Sequence, residues 1–257
     1  MNYYTGIDIG STAAKVVVLD QHRMVEHFVL PTGWNCRDTA REIARRLAEK
    51  GMPVDDEMKV IATGYGRICV DYAQKVVTEI TCHGRGAYAL AGEDCTVIDN
   101  GGQDTKVITV ERAVSTSFLM NDKCAAGTGK FLEIMANRLN VDLGELYVLA
   151  FQGEPLAISS MCTVFAESEV ISHIGAGERR EDIAAGVIDS VVNRVAGLCS
   201  RHVIKGKVVL TGGLCECNCL IRRLSQKLGR DICSDPMGRY AGALGAALIA
   251  RDGKKLA

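Results

Sequence analysis

The sequence predicts an α/β protein built from two related halves, and three observations support this fold class. An apolar strand that ends in Asp, a turn that contains glycine and a returning strand occur at 5–18 and again at 96–110, which indicates a duplication. Patterns typical of helices follow each of these strand groups. A further strand at 207–211 ends in a Thr-Gly-Gly turn. With 257 residues, the chain is long enough for two medium-sized domains.

The first half is predicted to open with a hairpin. A strand at 3–9 breaks at Gly10 and extended structure resumes at 15–20, so the tip between them consists of small residues. The other elements predicted in this half are strands at 24–30, 60–62 and 76–80, an amphipathic helix at 37–50, and helices at 67–75 and 84–92.

The second half is predicted to open with a strand at 95–98, and the repeat alone places the boundary between the halves near 93–95. The elements predicted after this strand are extended runs at 105–110 and 113–119, helices at 129–139, 142–150, 163–176 and 181–203, the strand at 207–211 and a last helix at about 240–251.

Composition excludes several classes of partner. The net charge is −1, which gives no electrostatic basis for binding nucleic acid or an anionic membrane. No apolar run approaches the roughly 20 residues that span a bilayer. The start of the chain lacks the pattern of a signal peptide, so we expect a cytoplasmic protein. For its 11 scattered cysteines we therefore expect buried thiols and a few metal ligands rather than disulfides.

The two repeated turns suit the binding of nucleotide phosphates. A turn that contains glycine lets backbone N–H groups approach phosphate oxygens, and the hydroxyl and ammonium groups of the first turn add further donors. Two ordinary hairpins capped by Asp are the alternative, which the third turn after 207–211 makes less favourable. The nucleotide ligands predicted in the two repeated turns are Ser11, Thr12, Ala13, Ala14, Lys15, Gly101, Gly102 and Gln103.

Four polar residues are the candidates for the chemistry of phosphoryl transfer to water. Asp8 and Asp99 end the two repeated strands, where carboxylates can hold the water ligands of Mg²⁺. Gln103 or Asp104 could orient the attacking water, since this reaction needs mainly positioning and neutralisation of charge.

The three turns together resemble the phosphate-1, phosphate-2 and adenosine motifs of the actin, hexokinase and Hsp70 ATPase superfamily. This resemblance implies two duplicated RNase-H-like domains with ATP in the cleft between them. The first domain would comprise 1–93 and the C-terminal helix 240–257, and the second 94–239. Small residues at 236–247 resemble the connecting helix of that superfamily. Further nucleotide ligands implied by the resemblance are Gly212 and Gly213. Arg239, which stands where many relatives carry Gln, is a further candidate nucleotide ligand, and a solvated side chain is the alternative.

Two cysteines point to a metal centre. Cys124 and Cys162 each precede a stretch that can start a helix, whose N-terminal N–H groups favour an anionic group. A four-iron cluster usually needs four thiolates, so one chain would supply half of the ligands and a second copy the rest. Buried structural thiols are the alternative.

Segments 121–129 and 158–169 around these cysteines resemble the cluster segments of the activators (component A) of 2-hydroxyacyl-CoA dehydratases and of benzoyl-CoA reductase ATPase subunits. The resemblance covers essentially the whole chain. It implies a homodimer with one bridging [4Fe-4S] cluster. This homodimer would bind ATP or ADP with Mg²⁺ and couple ATP hydrolysis to transfer of one electron. Ferredoxin or flavodoxin would be the donor, and a 2-hydroxyacyl-CoA dehydratase or related low-potential reductase the acceptor.

Two other functions stay open from the sequence. A small-molecule kinase of the same superfamily would need a sugar pocket and neither cysteine. A metal-binding regulator would use Cys215, Cys217, Cys219 and Cys233, whose alternative is a thiol-rich loop without metal. Asn100 departs from the family pattern, which has an apolar residue there.

Overall fold

The computed structural model of the chain describes residues 2–121, 124–159 and 162–253. Asp122 and Lys123, which precede Cys124, and Ser160 and Met161, which precede Cys162, lie outside the described residues. Within the described part, the strands form two five-stranded sheets, and helices lie between groups of strands along the chain. The predicted α/β fold class is confirmed.

The strands are β1 (Tyr3–Ile9), β2 (Ala13–Leu19), β3 (Met24–Pro31), β4 (Met58–Thr63), β5 (Lys75–Val76), β6 (Cys95–Asn100), β7 (Thr105–Glu111), β8 (Val114–Asn121), β9 (Lys207–Gly212) and β10 (Ile232–Ser234). The α-helices are α1 (Cys36–Glu49), α2 (Glu79–Ala91), α3 (Gly129–Arg138), α4 (Leu143–Gln152), α5 (Thr163–Gly175), α6 (Arg180–Cys199), α7 (Asn218–Leu228) and α8 (Ala241–Asp252). Short 3-10 helices occur at Arg67–Cys69 and Pro236–Tyr240.

The two sheets repeat one strand order. The first has the order β3-β2-β1-β4-β5, in which β1 pairs antiparallel with β2 and parallel with β4. The second, taken from its other edge, has the order β8-β7-β6-β9-β10. Each sheet therefore places three consecutive strands beside two later ones, which confirms the duplication that the repeated turns predicted.

The chain divides into two compact units. The first contains Met1–Val97, Ile108–Phe118 and Met237–Ala257, and the second contains Ile98–Val107 and Leu119–Pro236. Each unit has its own apolar core. The predicted domains, 1–93 with 240–257 and 94–239, were placed from the repeat and the resemblance, and they stay a prediction.

Glycine and alanine allow close packing of α8 in the first unit. A Cβ at Gly6 of β1 would lie 1.9 Å from the carbonyl oxygen of Ala243. A Cβ at Gly245 of α8 would lie 1.8 Å from the carbonyl oxygen of Cys82 in α2. Only hydrogen fits at these positions, so α8 lies directly against β1 and α2, as the run of small residues at 236–247 indicated.

The structure corrects two predicted elements of the first unit. The helix predicted at 67–75 is only the 3-10 turn Arg67–Cys69, because Val70 leaves the helical region (ψ 81°) to bury its side chain. The strand predicted at 76–80 is also wrong beyond Val76. There the Thr78 side chain accepts a hydrogen bond from the backbone N–H of Thr81 and caps α2. Sequence reasoning also missed α7 and β10.

A disulfide joins Cys36 at the start of α1 to Cys69 in the 3-10 turn, with Cα atoms 5.8 Å apart. The expectation of free thiols was wrong for this pair. Gly66 is the local reason, because its missing Cβ lets the turn approach Ile9 and Cys36 closely. None of the described helices is long and apolar enough to cross a membrane.

Candidate functional site

The first turn (residues 10–12) connects β1 to β2 in the first unit. Asp8 of β1 is buried and pairs in register with Lys15 of β2, whose Nζ lies 4.0 Å from Oδ2 of Asp8. Gly10 closes the turn by donating its backbone N–H to the carbonyl of Ala13 at 3.1 Å. A carboxylate and an ammonium group therefore stand side by side at the base of the turn.

The tip of this turn is accessible. Ser11, Thr12 and Ala13 are partly exposed, whereas Ala14 is fully buried in the core of the unit. Any contact of Ala14 with a ligand would therefore come from its backbone. The assignment of the residues of this turn to nucleotide binding stays a prediction.

The second turn (residues 101–104) lies in the second unit and is organised by a buried lysine. Nζ of Lys106 lies 3.4 Å from Oδ2 of Asp99 and 2.8 Å from Oδ2 of Asp104, and Lys106 is only 1% exposed. Thr211 donates its hydroxyl to the other oxygen of Asp99 at 2.9 Å. These contacts fix the Asp99 carboxylate in one orientation, while Gln103 at the tip is exposed.

The third turn (residues 211–213) contacts the end of β6. Gly213 donates its backbone N–H to the carbonyl of Asn100 at 3.1 Å. Gly212 has φ +87°, a left-handed conformation that favours glycine, and a Cβ there would lie 2.2 Å from the same carbonyl oxygen. The structure therefore brings together two of the three predicted nucleotide turns within the second unit.

The second turn also holds the start of α3. The backbone N–H of Gly129 donates to the carbonyl of Gly101 at 3.0 Å, and that of Lys130 donates to the carbonyl of Gly102 at 2.8 Å. Both N–H groups belong to the first residues of α3, which have no partner within the helix. The turn predicted to bind phosphate is thus bonded directly to the helix that follows Cys124.

Cys124 and Cys162 line one cavity of the second unit, of about 790 Å³. Cys124 is partly buried and Cys162 is exposed. Arg194 and Arg201 also line this cavity. The cavity therefore combines two accessible thiols with two positive charges, a setting that suits an anionic group held by thiolates.

The two cysteines approach their helices differently. Cys162 is the residue immediately before α5, and its carbonyl accepts the N–H of Ala166 at 2.9 Å. Cys124 begins a loop, here called the Cys124 loop (residues 124–128), that separates it from α3. Within that loop Gly127 has φ +88°, and a Cβ there would lie 2.9 Å from the side chain of Arg194. Gly127 thus leaves room for an arginine that faces the cavity.

The remaining cysteines of the predicted Cys-x-Cys-x-Cys pattern pack into the core. Cys215, Cys217 and Cys219 are buried, whereas Cys233 is exposed on β10. Burial raises the pKa of the Cys217 thiol to about 12, so it stays protonated at neutral pH. Among the described residues, no three of these cysteines bring their sulfur atoms within 4.8 Å of one another.

Two further residues of the first unit are Arg239 and His83. Arg239 is partly exposed in the 3-10 helix Pro236–Tyr240, and its assignment to nucleotide binding stays a prediction. His83 lies within α2 and is buried. A Cβ at Gly242 of α8 would lie 2.8 Å from both Nε2 of His83 and Oδ2 of Asp8, so the imidazole lies beside the base of the first turn. Its Nε2 lies 3.7 Å from Glu79.

Sequence reasoning missed Lys106 and the arginines of the cavity. Lys106 stands in the run Thr-Lys-Val-Ile-Thr-Val, which is buried throughout. A lysine inside such an apolar strand is itself a signal, because a buried ammonium group requires carboxylate partners. Arg194 and Arg201 lie on and just after α6, and their distance from the cysteines in sequence hides the shared cavity.

The comparisons with known proteins identify the family. A family model described as the BadF/BadG/BcrA/BcrD ATPase family matches residues 5–250. The chain belongs to this family. It is 45% identical, over 97% of its length and 98% of the relative's, to the (R)-2-hydroxyglutaryl-CoA dehydratase activating ATPase of Acidaminococcus fermentans.

Two solved structures agree with this fold. Component A of the (R)-2-hydroxyglutaryl-CoA dehydratase of Acidaminococcus fermentans superposes with a TM-score of 0.92, at 44% identity and 98% coverage of both chains. The activator of the 2-hydroxyisocaproyl-CoA dehydratase from Clostridium difficile, with bound ADPNP, also gives 0.92, at 40% identity and coverage of 97% and 94%.

Proposed function

We propose that this protein is an ATP-hydrolysing activator that passes single electrons at low potential to a 2-hydroxyacyl-CoA dehydratase or a related reductase. Two copies would share one [4Fe-4S] cluster. The observation that carries the proposal is the single cavity that Cys124 and Cys162 line together with two arginines. Membership of an ATPase family and the names of the similar activators support the ATPase and the class of acceptor.

The residues of the cavity fit a shared cluster. Each chain offers two accessible thiols on one cavity, so two chains would supply the four thiolates that such a cluster needs. The cluster would be negatively charged, and Arg194 and Arg201 would lower its electrostatic energy. When bound, a group of this kind takes up and releases one electron at a time. The residues that would hold it are Cys124 and Cys162 of both copies.

The second turn would bind the phosphates of ATP. Its backbone contains two glycines, and Lys106 lies between the two adjacent carboxylates and reduces their mutual repulsion. The carboxylate of Asp99 would accept a hydrogen bond from a water of Mg²⁺. Gln103, exposed at the tip, would orient the attacking water.

The first turn would supply a second set of phosphate ligands. Ser11, Thr12 and Lys15 present hydroxyl and ammonium donors, and Asp8 would hold further waters of the Mg²⁺ ion. A nucleotide can shift a conformational equilibrium only if it binds the two states unequally. The direct hydrogen bonds between the second turn and the start of α3 would transmit such a shift toward Cys124.

Analysis of iron and sulfide in anaerobically purified protein tests this proposal. We expect about four irons for every two chains, and loss of nearly all iron in Cys124→Ala and in Cys162→Ala. Cys233→Ala is the matched control for Cys162, because both thiols are exposed, and it should keep its iron.

Two results would contradict the proposal. One is colourless protein without iron after purification in the absence of oxygen. The other is unchanged iron in both cysteine variants. Iron-free protein that phosphorylates a sugar at the expense of ATP would instead support the kinase alternative, which requires neither cysteine.

A further inference from the structure

We propose that Asn100 is a positioning residue that couples the second turn to the Cys124 loop. Through it, nucleotide binding at the turn changes the position of Cys124 and the accessibility of its thiol. The inference rests on the proposed function, which assigns the nucleotide to the turn and the metal to the cysteine. Asn100 takes no part in that assignment, and in the sequence it stood out only as a departure from an apolar residue.

The side chain of Asn100 reaches the Cys124 loop directly. Asn100 is fully buried at the end of β6, next to the second turn. Its Nδ2 donates to the carbonyl of Gly127 at 2.9 Å and lies 3.3 Å from the hydroxyl of Thr105. Gly127 is three residues from Cys124 and belongs to the same loop. This bond therefore joins the loop itself, and not only α3, to the end of β6.

The backbone of Asn100 contacts the third turn. Its carbonyl accepts the N–H of Gly213 at 3.1 Å, and Gly212 packs against the same oxygen. Gly101, the next residue, begins the second turn and accepts the N–H of Gly129. One residue thus touches both nucleotide turns of the second unit with its backbone and the Cys124 loop with its side chain.

The Asn100 amide contributes a hydrogen-bond donor at this position, which an apolar side chain could not provide. Among the described residues, Oδ1 of Asn100 has no hydrogen-bond partner, although it is buried. A buried polar atom without a partner destabilises a fold, and an apolar side chain of the same size would avoid this. The orientation of the amide is set by Gly127, whose carbonyl can only accept. The retained amide is explained by its bond to the Cys124 loop.

Alkylation of Cys124 in the full-length, iron-free chain measures this coupling. Iodoacetamide is added with and without saturating Mg²⁺–ADPNP, and mass spectrometry follows the peptide of Cys124, with exposed Cys233 as the internal reference. In the wild type we expect the nucleotide to change the alkylation rate of Cys124 by about 5-fold or more, the lower range of allosteric coupling. In Asn100→Leu, which keeps the number and branching of the side-chain heavy atoms and removes the donor, we expect a change of less than about 2-fold.

The matched control is Thr39→Val in the first unit, which also removes a buried side-chain hydrogen bond, from Thr39 to the carbonyl of Thr32. It should retain the full nucleotide effect on Cys124. If Asn100→Leu does not fold, Asn100→Ala is used in the same way, because it removes the donor without adding volume.

The inference is overturned if Asn100→Leu keeps the wild-type nucleotide effect, or if the wild type shows none. Iron content of the anaerobically purified protein separates this failure from that of the proposed function. Protein with iron but no effect of Asn100 contradicts the coupling alone. Protein without iron, in which the nucleotide still acts on Cys124 through Asn100, contradicts only the role of the cysteine as a ligand.

Discussion

Lys106 offsets part of the negative charge of the 99–104 segment. Its ammonium group is almost fully buried between the carboxylates of Asp99 and Asp104. In a buried environment, removing one partner of such a group leaves an uncompensated charge, which is more destabilising than the pair itself is stabilising. The lysine is therefore a requirement for placing two carboxylates beside the second turn.

We predict that Lys106→Met lowers the free energy of unfolding by about 3–5 kcal/mol, because Asp99 and Asp104 lose their common cation. Urea denaturation of the full chain measures the change. Lys130→Met is the control, since the Lys130–Glu133 pair is exposed to solvent and is expected to contribute at most about 0.5 kcal/mol. A loss of less than 1 kcal/mol in Lys106→Met would show that the lysine does not hold the turn.

Some residues of the candidate site could be predicted from the sequence, and others could not. Asp8, Asp99 and the glycines of the turns could be predicted, because a strand that ends in a carboxylate and a glycine turn is a local pattern. Lys106 and Arg194 could not be predicted. Their roles depend on partners that the fold brings near them, and a strand pattern treats a lysine as a surface residue.

Among the helices, the packing of α8 against α2 could be predicted from the sequence, whereas α7 was missed. The run of small residues at 236–247 predicted close packing, and the structure confirms it at Gly6, Gly86 and Gly245. The helix α7 was not predicted, because its first residues continue the cysteine-rich stretch, a pattern that also suits a metal site. Its amphipathic pattern, with Leu220 and Leu224 buried, was present in the sequence.

We predict that Gly245→Ala destabilises the chain by about 3 kcal/mol or more, since its Cβ would lie 1.8 Å from the backbone carbonyl oxygen of Cys82, which cannot rotate away. Thermal unfolding measures the change. Gly197→Ala in α6 is the control of opposite sign. No atom lies within 4 Å of its Cβ position, and alanine has the higher helix propensity, so a gain of about 0.5–1 kcal/mol is expected. Equal effects of the two substitutions would contradict the packing argument.

For the whole chain, the repeat of strands and turns predicted a duplication, which the matching strand orders of the two sheets confirm. The pairing of β6 with β9 and β10 depends on contacts between distant segments, which no local pattern encodes. Association with a second copy was predicted from arithmetic alone. Two cysteines on one cavity are half of the ligands that a four-iron cluster needs, so the metal and the dimer should be linked.

Removal of iron is therefore expected to separate the copies, because the thiolate bonds that cross the interface are lost. Size-exclusion chromatography with light scattering should show a mass near twice 27.6 kDa for the anaerobic protein and a shift toward 27.6 kDa after treatment with a chelator. Cys162→Ala should behave like the chelated protein, and Cys233→Ala like the untreated one. A monomer that carries four irons, or a dimer whose dissociation constant is unchanged when iron is removed, would show that the cluster does not join two chains.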